Sequence, residues 1–238
     1  MAHAIVLPNE FDNNAVSFLP PKQNKLGGQS VLVNYTPDGA DRSGAFILQT
    51  CRIRIPFGID QSKQDNGPVR YHISVSMANE ETQNEQLRQF TKNIRYIDEK
   101  AKETPQNSES WFGKKLSGEL VQEFYKSAEK FPKDSKWPST LKVKLPFDKK
   151  GVPQFVLYDE HKNPIEIVDD DGNVNSSAIP KGSEAVCLIQ STGVWFVGKT
   201  QFGVGYKLLQ AKIYKSNKLT GYAIVDSEDE AAGEEDVE

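Results

Sequence analysis

Cations and aromatic residues are interleaved between Lys181 and Lys218, in a pattern typical of a surface that binds single-stranded nucleic acid. The stretch contains six lysines and a single acidic residue, Glu184. The aromatic residues among them are Trp195, Phe196, Phe202, Tyr206 and Tyr214. Lysines follow the phosphates of a single strand, and aromatic rings stack on its bases whatever their identity. The chemistry that these residues support is therefore binding, with no bond made or broken.

Alternation within the last strand-like segment separates an apolar face from a polar one. The apolar face consists of Leu209, Ala211 and Ile213. The other face carries Tyr206, Gln210, Lys212 and Tyr214. We expect the first face to pack in the core and the second to meet nucleic acid.

Two earlier segments would extend the cationic face if their strands are neighbours of this one. Lys142 and Lys144 alternate with apolar residues in the first segment, and Arg52 and Arg54 do so in the second. The alternative is that the rings pack in the core while the cations only solvate a β-sheet surface. For a single residue the two interpretations are equal, but for the whole set we favour binding.

A phosphate-binding pattern overlaps the same region. Residues Gly193 to Thr200 match G-x-x-x-x-G-K-[ST], which would indicate a P-loop nucleotide hydrolase. Such a loop wraps phosphates with successive backbone amides and then opens a helix. Here the interior of the pattern, Val194 to Val197, is bulky and strand-forming, and the residues that follow alternate instead of showing a helical period. The hydrolase stays an alternative, and we expect neither catalytic residues nor an enzyme.

The end of the chain is strongly acidic. The last thirteen residues, beginning at Asp226, contain eight carboxylates and no lysine or arginine. Without these eight, 25 acidic residues remain against 29 basic ones, so residues 1–225 carry a net charge of about +4. A flexible polyanion on a basic domain would occupy the basic surface until DNA displaces it, whereas the alternative is that the tail only aids solubility. The candidate regulatory residues are Asp226, Glu228, Asp229, Glu230, Glu234, Glu235, Asp236 and Glu238.

Several other classes of protein are disfavoured. No apolar run approaches the roughly 18 residues that span a bilayer, and the N-terminus has neither the charge nor the apolar core of a secretory signal. Cys51 and Cys187 lie in apolar runs, so we expect buried, reduced thiols in an intracellular protein. The three histidines are scattered. The Asp169–Gly172 loop lacks the spaced ligands of a calcium site. We therefore expect no metal and no cofactor.

The elements that must position the cations and rings are mostly strands. Residues 1–42 are rich in turn signals and predict an irregular N-terminal arm. Segments 43–55 and 69–77 alternate as strands with one buried face. The period then changes: Asn79 is the predicted start of an amphipathic helix that Pro105 ends, and a second helix is predicted from Ser117 to Phe131. From Thr140 the chain alternates again up to the tail. Residues 43–225 thus form one predicted domain with a helical insertion at about 79–131.

Residues from about 139 to 217 resemble the OB-fold single-stranded-DNA-binding protein of podovirus replisomes, which has relatives in large eukaryotic DNA viruses. The order of elements carries the resemblance, and its features are the lysine-alternating strand Thr140–Lys144, the strand Phe155–Asp159 that ends in an acid, the turn Pro180–Ser183, Trp195, and the run Val204–Gln210. The helix after the second strand and the acidic C-terminus also match in position, so that the resemblance extends over about 43–238.

This resemblance implies a mainly β fold, a five-stranded OB-fold barrel with a helical insertion and a disordered acidic tail, which binds strands across a groove. It also implies a homodimer whose tail shields the groove and docks replisome proteins. The phage proteins end in an aromatic residue, whereas this chain ends Asp236-Val237-Glu238. The location that the resemblance implies is intracellular, at viral replication sites in the infected cell.

We therefore expect a protein that coats single-stranded DNA without sequence preference in viral replication and recombination. An acidic-tailed, chaperone-like module that binds basic proteins is the second alternative. The candidate stacking residues are Tyr158, Trp195, Phe202 and Tyr206. The candidate phosphate ligands are Arg52, Arg54, Lys142, Lys144, Lys199, Lys207 and Lys212.

Overall fold

The computed structural model describes residues 5–23, 28–37, 44–63, 67–134, 136–169 and 171–214. Sixteen strands are present in these residues: β1 Ile5–Val6, β2 Val16–Phe18, β3 Lys22–Gln23, β4 Gln29–Val31, β5 Val33–Tyr35, β6 Gly44–Ala45, β7 Ile47–Gln49, β8 Ile53–Ile55, β9 Ile59–Ser62, β10 Arg70–Ser76, β11 Glu129–Lys130, β12 Thr140–Leu145, β13 Val156–Tyr158, β14 Pro164–Ile165, β15 Ser183–Val197 and β16 Gln201–Tyr214. Two α-helices, α1 Glu85–Asn107 and α2 Gly118–Phe124, lie between β10 and β11. Three short 3-10 helices are Pro8–Glu10, Asn13–Ala15 and Ser176–Ala178. The predicted mainly β fold with a helical insertion is confirmed.

Helix α1 begins later and ends later than the sequence pattern predicts. Its N-cap is Asn84, whose side chain accepts a hydrogen bond from the amide of Leu87 at 3.1 Å. Asn79 instead closes a turn, since its amide donates to the Thr82 hydroxyl at 2.9 Å. Pro105 lies inside the last turn of α1. The second helix, α2, is capped by Ser117 but ends at Phe124, seven residues before the predicted end.

The apolar stripe of α1 packs in the core, as the helical period predicts. Phe90, Ile94, Ile97 and Ala101 are buried. The helix lies against β16, α2 and the 3-10 helix at Pro8–Glu10. It therefore covers one face of the sheet and leaves the opposite face of the same strands for other contacts.

The main sheet is built around a long antiparallel hairpin of β15 and β16. Its strand order is β1-β7-β15-β16-β12-β10-β9. Strand β12 meets β16 in parallel at Lys144 and Lys207, and β13 continues along β16 from Gln210 to Lys212. No pairing between described strands joins β9 to β1. The sheet is therefore open in the described residues, and the predicted five-stranded barrel does not close there.

A β-bulge in β16 exchanges the side of the strand that faces the core with the side that faces outward. Leu188 pairs with Gln210 and Ile189 pairs with Leu208, so Leu209 has no partner in β15. An extra residue of this kind shifts every later side chain to the other face relative to strict alternation. Phe202, Val204, Tyr206 and Leu208 face the core before the bulge, and Ala211 and Ile213 face it afterwards.

The described part of residues 1–42 is more ordered than an irregular arm. Strand β1 runs parallel to β7, and β4 pairs with β15. Strands β2, β5 and β6 form a separate three-stranded sheet. Val6, Val31 and Val33 are buried. These residues pack with the rest of the protein, while the predicted domain boundaries stay a prediction.

Both cysteines are free and buried, as their apolar surroundings predict. Burial raises the pKa of Cys51 to about 11 and that of Cys187 to about 12. In the described ranges no helix is both long and apolar enough to cross a membrane. The same residues contain no group of three or more His, Cys, Asp and Glu that could hold a metal ion.

Candidate nucleic-acid interface

Cations from three strands meet on the face of the sheet that α1 does not cover, which we call the outer face. Lys207 of β16 pairs with Lys144 of β12 on one side and with Gln190 of β15 on the other. Lys142, two residues from Lys144, pairs with Ser74 of β10. Side chains of directly paired residues lie on the same face of a sheet. Lys142 and Lys144 are therefore neighbours of the cations on β16. This is the condition under which the cationic face was predicted to extend over both strands.

An ammonium group and an indole ring converge over a glycine on the outer face. A Cβ atom on Gly205 would lie 3.9 Å from Nζ of Lys144 and 3.5 Å from Cδ1 of Trp195, and its nearest neighbour would be Oγ1 of Thr192 at 2.5 Å. At Gly203 the same atom would lie 2.9 Å from Cζ2 of Trp195 and would clash with the carbonyl oxygen of Lys126. The two glycines thus leave the space in which the half-buried ring of Trp195 lies across the backbone of β16. We call Arg70, Lys142, Lys144, Trp195 and Lys207 the Trp195 cluster.

The positive charge of the Trp195 cluster is not compensated within the described residues. None of its four cations has an acidic side chain within ion-pair distance there. Partial burial lowers the pKa of Lys144, and the charges of Arg70 and Lys142 lower it further. Three cations that raise one another's electrostatic energy form a site where a phosphate group would be stabilised.

A second group of cations and rings lies at the other end of the β15–β16 hairpin. The guanidinium carbon of Arg52 lies 4.1 Å from the ring centroid of Tyr214, and Nζ of Lys212 lies 5.1 Å from the same centroid. Lys212 pairs with Tyr158, and Arg54 pairs with Glu184. We call these residues, namely Arg52, Arg54, Tyr158, Glu184, Lys212 and Tyr214, the Tyr214 cluster.

The Tyr214 cluster is less available to phosphates than the Trp195 cluster. Nε of Arg52 lies 2.6 Å from a carboxylate oxygen of Glu184. The side chains of both residues are about half exposed. An ion pair in this setting is weak, so that a phosphate competes with Glu184 for Arg52 at little cost.

The stacking role predicted for two residues, Phe202 and Tyr206, is wrong because both rings are buried. Phe202 is fully buried, and its ring packs edge-on against Trp111, Phe112 and Tyr125. Tyr206 is also fully buried. Burial and the charge of Asp98 on α1 raise the pKa of its hydroxyl. Both rings are buried in the core, so neither reaches the outer face, whereas Trp195 and Tyr158 do.

The phosphate-binding pattern lies in a hairpin and not in a P-loop. Gly193 to Val197 belong to β15, and Gly198 to Thr200 form the turn into β16. Lys199 is exposed in this turn, at the tip of the hairpin, and lies apart from the other candidate cations. An extended strand cannot wrap a phosphate with successive amides, and the motif is followed by a strand instead of a helix. This geometry contradicts the nucleotide-hydrolase alternative.

Sequence reasoning missed Arg70 and His72 on β10. His72 is buried and lies directly between Lys144 of β12 and Asp60 of β9. Its Nε2 atom is 3.2 Å from Oδ2 of Asp60. Burial lowers the pKa of His72 and the charge of Lys142 lowers it further, while Asp60 opposes both effects. The available signal was the polar side of the alternating segment 69–77, which carries both residues.

The acidic residues of the predicted regulatory tail lie outside the described residues.

Comparisons with known proteins give one matching family and several solved structures to which the chain is similar. No curated protein matches the chain. The similar solved structures include gp2.5, a single-stranded DNA-binding protein encoded by bacteriophage T7, with 14% identity, 80% of this chain and 95% of that chain covered, and a TM-score of 0.46. They also include the single-stranded DNA-binding protein from bacteriophage Enc34 in complex with ssDNA, with 14% identity, coverages of 86% and 99%, and a TM-score of 0.45. A family model matches residues 72–226. The chain therefore belongs to the family of unknown function DUF5871.

Proposed function

We propose that the protein binds single-stranded DNA without sequence preference and has no catalytic role. The observation that carries this proposal is the convergence of the Lys144 ammonium and the Trp195 indole over Gly205. A cation beside a ring provides the two contacts that a nucleotide in a single strand needs, one for the phosphate and one for the base. In a duplex the bases are stacked on each other, so the ring would have no partner.

The Tyr214 cluster supplies a second contact region on the same face. Lys207 and Lys212 are five residues apart on β16, which corresponds to about 17 Å along an extended strand. Gln210 lies between Lys207 and Lys212 on β16, and Gln190 pairs with Lys207; both side chains are uncharged. A strand that follows β16 would thus have its phosphates held at both ends of this segment.

The cellular role that we propose is in viral DNA replication and recombination, which are processes that expose single strands. The sequence resemblance to viral proteins supports this role. The same resemblance supports two further parts of the proposal, namely an intracellular location at viral replication sites and a homodimer. Docking of replisome proteins by the acidic tail is part of the same proposal.

Binding assays with three labelled ligands test the function. Fluorescence anisotropy with oligo-dT, a duplex of the same length and an RNA oligonucleotide should give the highest affinity for oligo-dT. Lys144→Ala should weaken this binding, and Lys114→Ala, which removes an exposed lysine from the loop between α1 and α2, should not. No binding of the intact protein to oligo-dT would overturn the proposal. Binding to basic proteins such as histones instead of oligonucleotides would favour the chaperone-like alternative.

A further inference from the structure

A histidine is built into the sheet beneath the cations of the Trp195 cluster. His72 lies on β10, and its two neighbours across the sheet are Lys144 of β12 and Asp60 of β9. Adjacent strands are about 4.8 Å apart, so the backbones of Lys144 and Asp60 are separated by about 10 Å with His72 between them. A charge on the imidazole would therefore lie within reach of any phosphate bound at Lys144, since the Debye length is about 8–10 Å at physiological salt.

The surroundings of His72 leave its protonation state responsive to a bound anion. Its Nδ1 atom is buried and has no hydrogen-bond partner in the described part of the chain. Its Nε2 atom lies 3.2 Å from the Asp60 carboxylate, whose side chain is 62% exposed. The cation that opposes a proton on His72 is Lys142 on β12. The other cations on this face are Lys144, which pairs directly with His72, and Arg70, two residues before it on β10. Strand β8, which also packs near β10, contributes only the exposed Arg54 as a charged residue.

We infer that His72 takes up a proton when single-stranded DNA binds to the Trp195 cluster, so that the affinity for DNA rises as the pH falls through the slightly acidic range. This inference rests on the proposed function and adds a regulatory property to the same surface. A phosphate at Lys142 and Lys144 cancels the repulsion that these cations exert on an imidazolium. The imidazolium in turn offsets the negative charge of Asp60, which otherwise repels a phosphate bound at Lys144.

The direction of the pH dependence follows from linkage. In the free protein burial and Lys142 hold the pKa of His72 below its usual 6.5, so the ring is neutral at neutral pH. A bound phosphate raises that pKa, and the complex binds more protons than the free protein between the two values. Affinity therefore increases as the pH falls and levels off below both pKa values. A shift of about one pKa unit corresponds to a tenfold change in affinity.

Two histidine variants separate this coupling from general titration. For the intact protein, the affinity for oligo-dT should rise up to about tenfold as the pH is lowered from about 8 to about 5. His72→Gln keeps a donor toward Asp60 but removes the titrating ring, and its affinity should be nearly flat over this range. The matched control is His161→Gln, because His161 is an exposed histidine 3.6 Å from Glu160 in the turn before β14. This control should keep the full pH dependence.

Calorimetry and a surface variant make the test independent of how well His72→Gln folds. The heat of binding in buffers of different ionisation enthalpy should reveal net uptake of a fraction of one proton near pH 6. Among the described residues, Asp60 is the group that favours protonation of His72, so in Asp60→Asn the rise in affinity should move to lower pH. Affinity that is independent of pH, or a pH dependence unchanged in both His72→Gln and Asp60→Asn, would overturn the inference while leaving the proposed function in place. Absence of binding by the intact protein at every pH would overturn both.

Discussion

Tyr206 and Lys212 lie on opposite faces of β16, although they are six positions apart and strict alternation would place them on the same face. Tyr206 is buried against α1, whereas Lys212 lies on the outer face beside Tyr158 and Tyr214. The cause is the bulge at Leu209, which inserts one unpaired residue between them. The bulge therefore places Tyr206 in the core and Tyr214 on the surface of the same strand. Core and surface rings of the hairpin can be tested separately.

Trp195→Ala should weaken binding to oligo-dT, because the indole is lost as a stacking partner, at a cost of about 1–3 kcal/mol. Tyr206→Phe should leave that affinity unchanged, since the Tyr206 ring faces α1. Anisotropy titrations of both variants against the intact protein provide the measurement. Equal effects of the two substitutions would contradict the assignment of faces.

The fluorescence of Trp195 gives a second readout of the same contact. We expect oligo-dT to quench the emission of the intact protein and to quench that of Trp195→Phe less. Trp111 is buried and should not respond, but Trp137 is 67% exposed and contributes a background signal. Quenching that is identical in the two proteins would place the stacking contact elsewhere.

Gly203→Ala should destabilise the protein by about 1–3 kcal/mol, the usual cost of forcing an atom into a packed site. The added Cβ would meet the carbonyl oxygen of Lys126 and lie 2.9 Å from the ring of Trp195. The control is Gly44→Ala, because a Cβ there has no neighbour within 4 Å. Urea denaturation should separate the two variants, and equal stabilities would show that the sheet relaxes around Gly203.

Binding to single strands should weaken as salt increases, with a slope in log–log form of about −0.7 for each phosphate contacted. We expect about three to five contacts in the intact protein, since residues 1–225 carry only about four net positive charges. Lys144→Ala should make the slope less negative by the contribution of about one phosphate contact. Lys114→Ala should leave the slope unchanged. An affinity that does not vary with salt would exclude the outer face as an electrostatic site.

Asp98→Asn should stabilise the protein at neutral pH. Burial in α1 raises the pKa of Asp98, and the hydrogen bond from the Ser127 hydroxyl at 2.6 Å only partly offsets this. Because the folded-state pKa lies above the unfolded one, the folded protein holds the proton more tightly, and stability falls as the pH rises through that interval. The advantage of the asparagine variant should therefore disappear below the usual aspartate pKa. Thermal unfolding at several pH values would show it, and a variant less stable at pH 7 would contradict it.

Removal of the acidic tail should tighten binding to single-stranded DNA. A chain that ends at Val225 loses eight carboxylates, and a tethered polyanion competes at high effective concentration. The gain should shrink as salt screens the tail. Free tail peptide should displace DNA from the shortened chain more effectively than a scrambled peptide does. Equal competition by both peptides would leave only general electrostatics, and no gain on truncation would remove the tail from the mechanism.

The sequence by itself determined those features that depend on local periodicity. The alternation of Lys142 and Lys144 with apolar residues predicted both the strand β12 and the outward direction of its lysines. The three- and four-residue spacing of Phe90, Ile94 and Ile97 predicted the buried stripe of α1. Period is a property of a single segment, because side chains alternate along a strand and return every 3.6 residues in a helix. The bulky interior of the Gly193–Thr200 pattern likewise predicted that it would not form a P-loop.

Only the tertiary structure decided which segments are neighbours and where alternation breaks. Nothing in the segments of Lys144 and Lys207 shows that their strands are adjacent, and nothing near Arg52 indicates the ring of Tyr214. Phe202 looks like a surface ring beside lysines until Trp111, Phe112 and Tyr125, all distant in sequence, pack around it. The bulge at Leu209 depends on the register of β16 against β15, which is a relation between two strands. A one-residue shift in such a register moves a side chain from the surface to the core, and no local pattern encodes it.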